Sequence, residues 1–304
     1  MKTLKTVLTV VGSALAVAAT TGAAYVSWQA HELDASLARV YDVPIPTVAL
    51  SKDPAVLARG EHLTRTLMPC ASAECHGADF AGATKPIDLG PVGKLAAPNI
   101  TPAGLGAAYS DGELFRLLRH GIKRDGRSVR FMPVQDASWL PDSDVVAMIS
   151  YLRTLPAVEK ANGKVELGLV GKVLDRHDLF TLDVARRIDH ERREMAPPPA
   201  PTKEYGRFVA RICTGCHGAH LSGGPIPGAP PSLPTPRNLT PDASGLAGWT
   251  YDDFTKVLDT GVRKSGEKLD PFMPIAAFSK LDDTERRALW AYLQSLPATP
   301  AGQR

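Results

Sequence analysis

The chain has 304 residues, which is enough for about two domains of ordinary size. With 44% hydrophobic and 22% charged residues its composition is globular, and its 26 prolines and 26 glycines favour short helices and long loops over sheets. A net charge of +3 without a clustered basic tract excludes a nucleic-acid-binding protein.

Residues 1–30 are predicted to be a membrane anchor or a signal peptide. Two lysines precede Thr6–Ala30, a stretch without charged residues or histidine that exceeds the roughly 20 residues needed to cross a bilayer. The leading lysines place the N-terminus in the cytoplasm, and Tyr25 and Trp28 suit the outer membrane interface. An uncleaved anchor in the inner membrane is favoured, with the remaining chain in the periplasm. Cleavage near Gly22–Ala24 would instead release a soluble periplasmic protein, and a buried helix fits this layout poorly.

Residues 31–51 are predicted to be an extended tether, because prolines recur from Pro44 onward. A helix is expected to start near Asp53 and to run toward Cys70. From there the chain repeats itself, and such repeats define its architecture. The matching segments are 76–82 and 217–223, 99–102 and 238–241, 110–113 and 250–253, 131–133 and 272–274, and 151–157 and 292–298.

Each repeat contains the start and stop signals of helices. Ser110 and Thr250 begin capping-box patterns, in which a carboxylate follows the hydroxyl residue three positions later. The helices that follow carry apolar stripes and end at Gly121 and Gly261. Closing helices are expected at 145–155 and 285–296, each stopped by a proline. We therefore predict an all-α protein with two homologous domains, at 52–158 and 202–300.

Residues 159–201 are predicted to connect the two domains. A partial apolar stripe over 176–195 predicts a helix lying across them, and 197–201 reads as a stiff proline-rich linker. We interpret this segment as a structural spacer without chemistry.

The four cysteines fall into two groups, each followed directly by a histidine. Cys213, Cys216 and His217 form a C-x-x-C-H run, which is typical of covalent c-type haem attachment. Cys70, Cys75 and His76 form a longer copy with C-x4-C-H spacing. Two local disulfides or one four-cysteine zinc site are the alternatives, but neither explains the adjacent histidines. The pattern therefore predicts two covalently bound haem c groups.

The first of these sites leaves its covalent chemistry open. One haem could be joined through both Cys70 and Cys75, or through Cys75 alone with Cys70 unattached. The first alternative is favoured, because no other role for Cys70 is visible and an exported thiol is prone to oxidation.

The iron ligands are predicted from what recurs in both repeats. His76 and His217 are the proximal candidates. Met132 and Met273 are the distal candidates, since each follows its histidine at the same spacing and precedes a proline; packing of a flexible side chain is the alternative for each. Three other histidines lack equivalents in the second repeat: His62, His120 and His177. A His/Met pair leaves the iron no open position, which favours electron transfer over chemistry at the iron.

Two further pairs occupy equivalent positions in the repeats. Asn99 and Asn238 could donate hydrogen bonds to a haem propionate or simply form turns. Tyr109 and Trp249 could line a haem edge or pack in the core.

The ordered motifs C-x-x-C-H-Gly, Asn-(Ile/Leu)-Thr-Pro, Met-Pro and Tyr-Leu-x-x-Leu-Pro resemble those of class I cytochrome c domains. They are more closely similar to the cytochrome c subunits of bacterial membrane-bound alcohol and sugar dehydrogenases. The resemblance implies two tandem helical domains after an N-terminal transmembrane helix. It also implies electron transfer, not enzymatic activity, between a dehydrogenase or quinone-linked donor and a downstream cytochrome or oxidase. A dihaem peroxidase and an obligate subunit of a larger oxidoreductase are the alternatives.

Overall fold

The computed structural model describes residues 2–179, 181–191, 196–227, 229 and 233–304. Within these residues, helices α1 to α10 span Lys2–Ala38, Pro54–His62, Leu105–Ala108, Asp111–His120, Asp142–Leu152, Leu169–Arg176, Lys203–His217, Tyr251–Thr260, Ile275–Phe278 and Asp283–Gln294. Strands β1 to β3 span Ile87–Asp88, Gly93–Leu95 and Val165–Leu167. They form one small antiparallel sheet in the order β1-β2-β3, with Ile87 opposite Leu95 and Leu95 opposite Val165. The predicted all-α class is confirmed, and this sheet is a small addition to it.

The helix α1 runs without interruption through the predicted anchor and on to Ala38, so the first part of the predicted tether is helical. Its segment Thr3–Ala38 is long and apolar enough to cross a membrane. Apolar side chains before Tyr25 are solvent-exposed, whereas Leu33 and Leu37 are buried against Leu182. The helix therefore has an exposed apolar part and a part packed on the rest of the chain.

Polar contacts hold this packed part of α1 against the segment that connects the domains. The Tyr25 hydroxyl lies 2.8 Å from Nε2 of His177, and Nζ of Lys172 lies 2.6 Å from Oδ2 of Asp34. Nearer the end of the helix, the Ser36 hydroxyl donates to the buried carboxylate of Asp183.

Each domain is built on a pair of helices that cross at a glycine. In the first domain, a Cβ atom on Gly60 of α2 would clash with the backbone oxygen of Ala147 in α5. In the second, a Cβ atom on Gly206 of α7 would clash with the backbone oxygen of Ala288 in α10. Because only glycine permits such a close approach, these two positions fix how the opening and closing helices of each domain cross.

The middle helices have the predicted ends. At the start of α4, the Ser110 hydroxyl accepts from the Glu113 amide, and the Glu113 carboxylate accepts from the Ser110 amide; α8 has the same capping box. Gly121 and Gly261 end the two helices in the left-handed conformation, with φ of 66° and 65°. The capping boxes and both stops are confirmed.

The closing helices α5 and α10 begin and end slightly earlier than predicted. Their first residues are Asp142 and Asp283, and the last predicted turn of each is not α-helical. In the first domain, for example, the amide of Thr154 donates to the carbonyl of Tyr151 in a tighter turn.

The connecting segment differs from the predicted helix over 176–195. The helix in this region, α6, ends at Arg176, and a short 3-10 turn follows at Ala185–Arg187. The buried carboxylate of Asp175 accepts hydrogen bonds from the amides of Leu182 and Asp183. Such side-chain bonds to the backbone compete with a continuing helix. Residues 180 and 192–195 of this prediction lie outside the described residues.

The two domains share one hydrophobic core. Trp139 of the first domain packs edge-to-face on Phe208 of α7, with ring centroids 4.5 Å apart. The 3-10 turn Val134–Asp136 of the first domain contacts α7, and α9 of the second contacts the helical turn Leu63–Leu67. Each domain thus packs on the part of the other domain that carries or leads to the other domain's cysteines.

Candidate haem-binding sites

The second cysteine group lies in the last turns of a helix. Helix α7 ends at His217 and contains both cysteines. Cys213 therefore has Cys216 three residues and His217 four residues further along, a spacing that places all three side chains on one helix face. The C-x-x-C-H pattern consequently brings two thiols and one imidazole together.

Both predicted proximal histidines have one ring nitrogen held by a backbone carbonyl. Nδ1 of His76 lies 2.8 Å from the Pro98 oxygen, and Nδ1 of His217 lies 2.7 Å from the Arg237 oxygen. Because a carbonyl oxygen only accepts, Nδ1 carries the proton and Nε2 presents a lone pair, as a metal-ligating imidazole requires. Both rings are buried, and this burial lowers their pKa values.

A strained turn after each histidine brings these carbonyls into place. Phe80 and Leu221 are buried residues in the left-handed region, with φ of 60° and 56°, a conformation that is costly for bulky side chains. The Phe80 oxygen accepts from the Ile100 amide at 3.0 Å, and the Leu221 oxygen accepts from the Leu239 amide at 2.8 Å. Sequence reasoning missed this role, although the repeated bulky residue between two glycines after each histidine is its signal.

The two asparagines act as structural ties. Asn99 Nδ2 donates to the Val158 carbonyl at 2.8 Å, and Asn238 Nδ2 donates to the Thr299 carbonyl at 2.7 Å. Each Oδ1 also accepts from the amide of the threonine two residues further along. Of the two interpretations above, these contacts support the turn, and they join each loop to the segment after the closing helix.

The second domain contains a cavity of about 740 Å³ that fits a haem c. Cys213, Cys216, His217 and Met273 all line it, so the residues predicted to attach the second haem and to bind its iron meet in one space. Trp249 lines it as well, which agrees with a place at a haem edge. Burial raises the pKa of the Cys213 thiol to about 12, and the four cysteines are not disulfide-bonded.

The two methionines stand in the same backbone geometry. The Val134 amide donates to the Met132 carbonyl at 2.7 Å, and the Ile275 amide donates to the Met273 carbonyl at 2.8 Å. The prolines between them have φ, ψ of −78°, 57° and −77°, 61°, which defines an inverse γ-turn. This repeated turn gives a physical reason for the proline after each methionine. Both methionines are half-buried against the shared core.

The first cysteine group lies in a loop. Helix α2 ends at His62 and continues as the π-helical turn Leu63–Leu67. The chain then folds back, since the His76 amide donates to the Cys70 carbonyl at 2.8 Å. Burial, with a further contribution from Cys75, raises the pKa of Cys70 to about 12. The longer spacing is thus accommodated by a loop that folds back on itself between Cys70 and His76.

The three histidines without equivalents are engaged elsewhere. Their ring nitrogens contact other side chains, in the pairs His62 with Glu285, His120 with His190, and His177 with Tyr25. These contacts agree with leaving all three out of the ligand set.

Two domains with crossed helices, paired thiols and a carbonyl-bound histidine define a protein that attaches haem covalently in each domain. The family model for cytochrome c matches residues 58–156 and 206–297. The chain belongs to the cytochrome c family, a family of electron-transfer proteins, and it binds two haem c groups covalently. The resemblance drawn from the sequence is confirmed.

Curated relatives include cytochrome subunits of dehydrogenases. The cytochrome c subunit of alcohol dehydrogenase (quinone) from Gluconobacter oxydans is 39% identical over 95 residues, covering 29% of this chain and 20% of that subunit. The gluconate 2-dehydrogenase cytochrome c subunit from Pantoea cypripedii is 36% identical over 96 residues, covering 29% and 21%. A "Diheme cytochrome c-type" protein from Cereibacter sphaeroides is 28% identical over 265 residues, covering 75% and 82%. The match thus spans about a fifth of the length of the first two relatives.

Proposed function

We propose that this chain is a membrane-tethered dihaem electron carrier and not an enzyme. It would pass electrons in the periplasm from a dehydrogenase or quinone-linked donor to a downstream cytochrome or oxidase. The relatives named as cytochrome subunits of dehydrogenases support a donor of this kind. The exposed apolar part of α1 supports an anchor in the inner membrane, with the haem domains outside the cytoplasm.

The second haem would be held by Cys213 and Cys216 through thioether bonds, with His217 and Met273 as iron ligands. The observation that carries this proposal is the cavity that all four side chains line. For the first haem, we propose Cys70 and Cys75 as the attachment residues. His76 and Met132 would then be its iron ligands, by the same hydrogen bond and the same methionine turn.

When bound, haem c supplies a one-electron iron couple whose potential is raised by a His/Met ligand pair. The protein's own residues hold and shield that group. The carbonyls that accept from Nδ1 of His76 and His217 would leave Nε2 of each ring available to bind the iron. Apolar residues of α8, among them Phe254 and Leu258, line the second cavity and keep water from it. With a histidine and a methionine both bound, the iron would have no position left for a substrate, which is why a carrier fits better than a peroxidase.

Replacement of each methionine by leucine tests the ligand assignment. Leucine conserves volume but lacks the sulfur, so Met132→Leu and Met273→Leu should each convert one of the two ferric haems to high spin and lower its potential. Met148→Leu is the control, since Met148 is a buried core residue of α5. Spectra and redox titrations of the purified holoprotein measure both effects.

The outcome separates the two functions. A parent protein with two low-spin haems that do not react with peroxide supports a carrier. A high-spin haem in the parent that reacts with peroxide would contradict it and favour the enzyme.

A further inference from the structure

The two domains meet through equivalent helices but with different chemistry on the two sides. Gly60 and Gly206 are equivalent, because each lies against the closing helix of its own domain. Two residues further along each helix, His62 of α2 therefore corresponds to Phe208 of α7. If the interface were symmetric, these two residues would make similar contacts in the opposite domain.

Phe208 makes an aromatic contact. Its ring stands at 87° to the Trp139 ring of the first domain, and the guanidinium of Arg211 lies 5.0 Å from the centroid of the same Trp139 ring. Trp139 is 8% exposed. This side of the interface is therefore a buried aromatic cluster, which tolerates small sliding movements better than directional bonds do.

His62 makes a polar contact. Its Nε2 lies 2.9 Å and 2.8 Å from the two carboxylate oxygens of Glu285 in α10. Nη1 of Arg59, also on α2, lies 3.8 Å from Oε1 of the same carboxylate. The Glu285 side chain is only 1% exposed, so one domain supplies a buried carboxylate and the other supplies the groups that compensate it.

Glu285 is held in place by its own helix before His62 reaches it. Its Oε2 accepts from the Asp282 amide at 3.1 Å, and its amide donates to Oδ1 of Asp282 at 2.8 Å. The equivalent residue of the first domain, Asp144, binds Arg59 within that domain. Glutamate is one methylene longer than aspartate, and it reaches across the interface. A buried carboxylate deprived of its partners is strongly destabilising, so this contact favours one relative position of the domains.

The contact lies beside the segments that carry the first cysteines and the second methionine. His62 is the last residue of α2, and the turn Leu63–Leu67 leads from it to Cys70. Helix α9, which directly follows the Met273-Pro274 turn, packs on the turn Leu63–Leu67. Movement of α2 against α10 would therefore shift the segment that leads to Cys70, the first haem-attachment segment, relative to the Met273-Pro274 turn of the second site.

We propose that His62 and Glu285 are positioning residues that fix the first haem-attachment segment relative to the second site and thereby set the rate of electron transfer between the haems. The inference rests on the proposed function, since it requires two bound haems that exchange electrons. The rate depends on placement, because small displacements of reacting groups have large kinetic effects.

The test uses the full-length holoprotein in detergent. A pulse of photochemical reductant delivers one electron to the protein. The electron then redistributes between the two haems, and the part of this redistribution that is independent of protein concentration gives the rate of electron transfer between them. Glu285→Ala and His62→Phe should each slow this rate about tenfold, with little change in either haem's spectrum or potential. Glu285→Gln keeps the size and one acceptor oxygen, so it should slow the rate less than Glu285→Ala does.

Two further measurements isolate the pair. The double variant His62→Phe, Glu285→Ala should be no slower than the slower single variant, because both residues act as one unit. Arg287→Ala is the matched control, since it removes an exposed ion pair with Asp283 on the same helix and should leave the rate unchanged. Hydrogen exchange in Leu63–Leu67 and in α9 should increase in Glu285→Ala and not in Arg287→Ala.

Different failures point to different conclusions. An unchanged rate and unchanged exchange in Glu285→Ala, with both haems attached, would overturn the positioning role and leave the carrier intact. A parent without any concentration-independent redistribution would overturn both the relay between the haems and the inference. Multiplicative slowing in the double variant would show that the two residues act separately, against the proposal.

Discussion

Replacement of Gly206 by alanine tests the helix crossing on which the second domain is built. A Cβ atom at this position would clash with the Ala288 carbonyl oxygen and would lie 2.8 Å from Cβ of Tyr292. Neither atom can move away by a rotamer change, so α7 and α10 must separate. Overpacking of this kind costs about 1–3 kcal/mol, whereas alanine gains up to about 1 kcal/mol in helix propensity. Because both clashing atoms are fixed by the backbone, the overpacking cost is taken as about 2–3 kcal/mol, and the gain of about 1 kcal/mol leaves a net loss of about 1–2 kcal/mol.

Calorimetry of the holoprotein in detergent measures this effect. For a protein of this size, about 1 kcal/mol corresponds to roughly 2–4 °C, so Gly206→Ala should lower Tm by a few degrees. Gly22→Ala is the control, because nothing lies within 4 Å of a Cβ atom at Gly22 of α1; its Tm should not fall. A Gly206→Ala protein as stable as the parent would refute the close crossing.

Two further predictions concern the first haem and the acid stability of α8. If both thioethers form, the denatured parent should contain no thiol that alkylates, and Cys70→Ala should retain its haem through Cys75 with an altered haemochrome spectrum; an alkylated Cys70 in the parent would contradict this. Hydrogen bonds from Thr250 and from Lys264 lower the pKa of Asp253 to about 2. The pKa of Asp253 in the folded protein lies below its usual value of 3.8. The ionised Asp253 carboxylate therefore stabilises the fold fully above pH 3.8, and this stabilisation is lost as the pH falls toward 2. Asp253→Asn should therefore be less stable than the parent at neutral pH and equally stable near pH 2, as measured by urea unfolding.

Local signals in the sequence predicted much of the architecture. The capping boxes at Ser110 and Thr250, and the glycines that end the same helices, were correct because each acts within a few residues of chain. The repeat then paired Met132 with Met273, and the structure adds the shared inverse γ-turn as the reason for their prolines.

Features that depend on distant segments were not predictable in the same way. The sequence around Gly60 does not reveal that α5 packs closely against it. Nor does the sequence reveal that the carbonyl of Pro98 accepts a hydrogen bond from His76. The prediction of a helix over 176–195 was wrong because the spacing of Leu179 and Leu182 does not show that Asp175 binds a backbone amide. This side-chain bond competes with the helix, which ends at Arg176.

The continuous helix α1 has a consequence for how the protein meets its partners. Its packed part extends from Tyr25 to Ala38, which at 1.5 Å per residue is a rigid helical spacer of about 20 Å. With the membrane anchor proposed above, this spacer would hold the first domain at a fixed height over the bilayer and would restrict its rotation relative to the membrane. Partners would then be found by diffusion in the plane of the membrane, and a productive partner would have to present its redox centre at that same height.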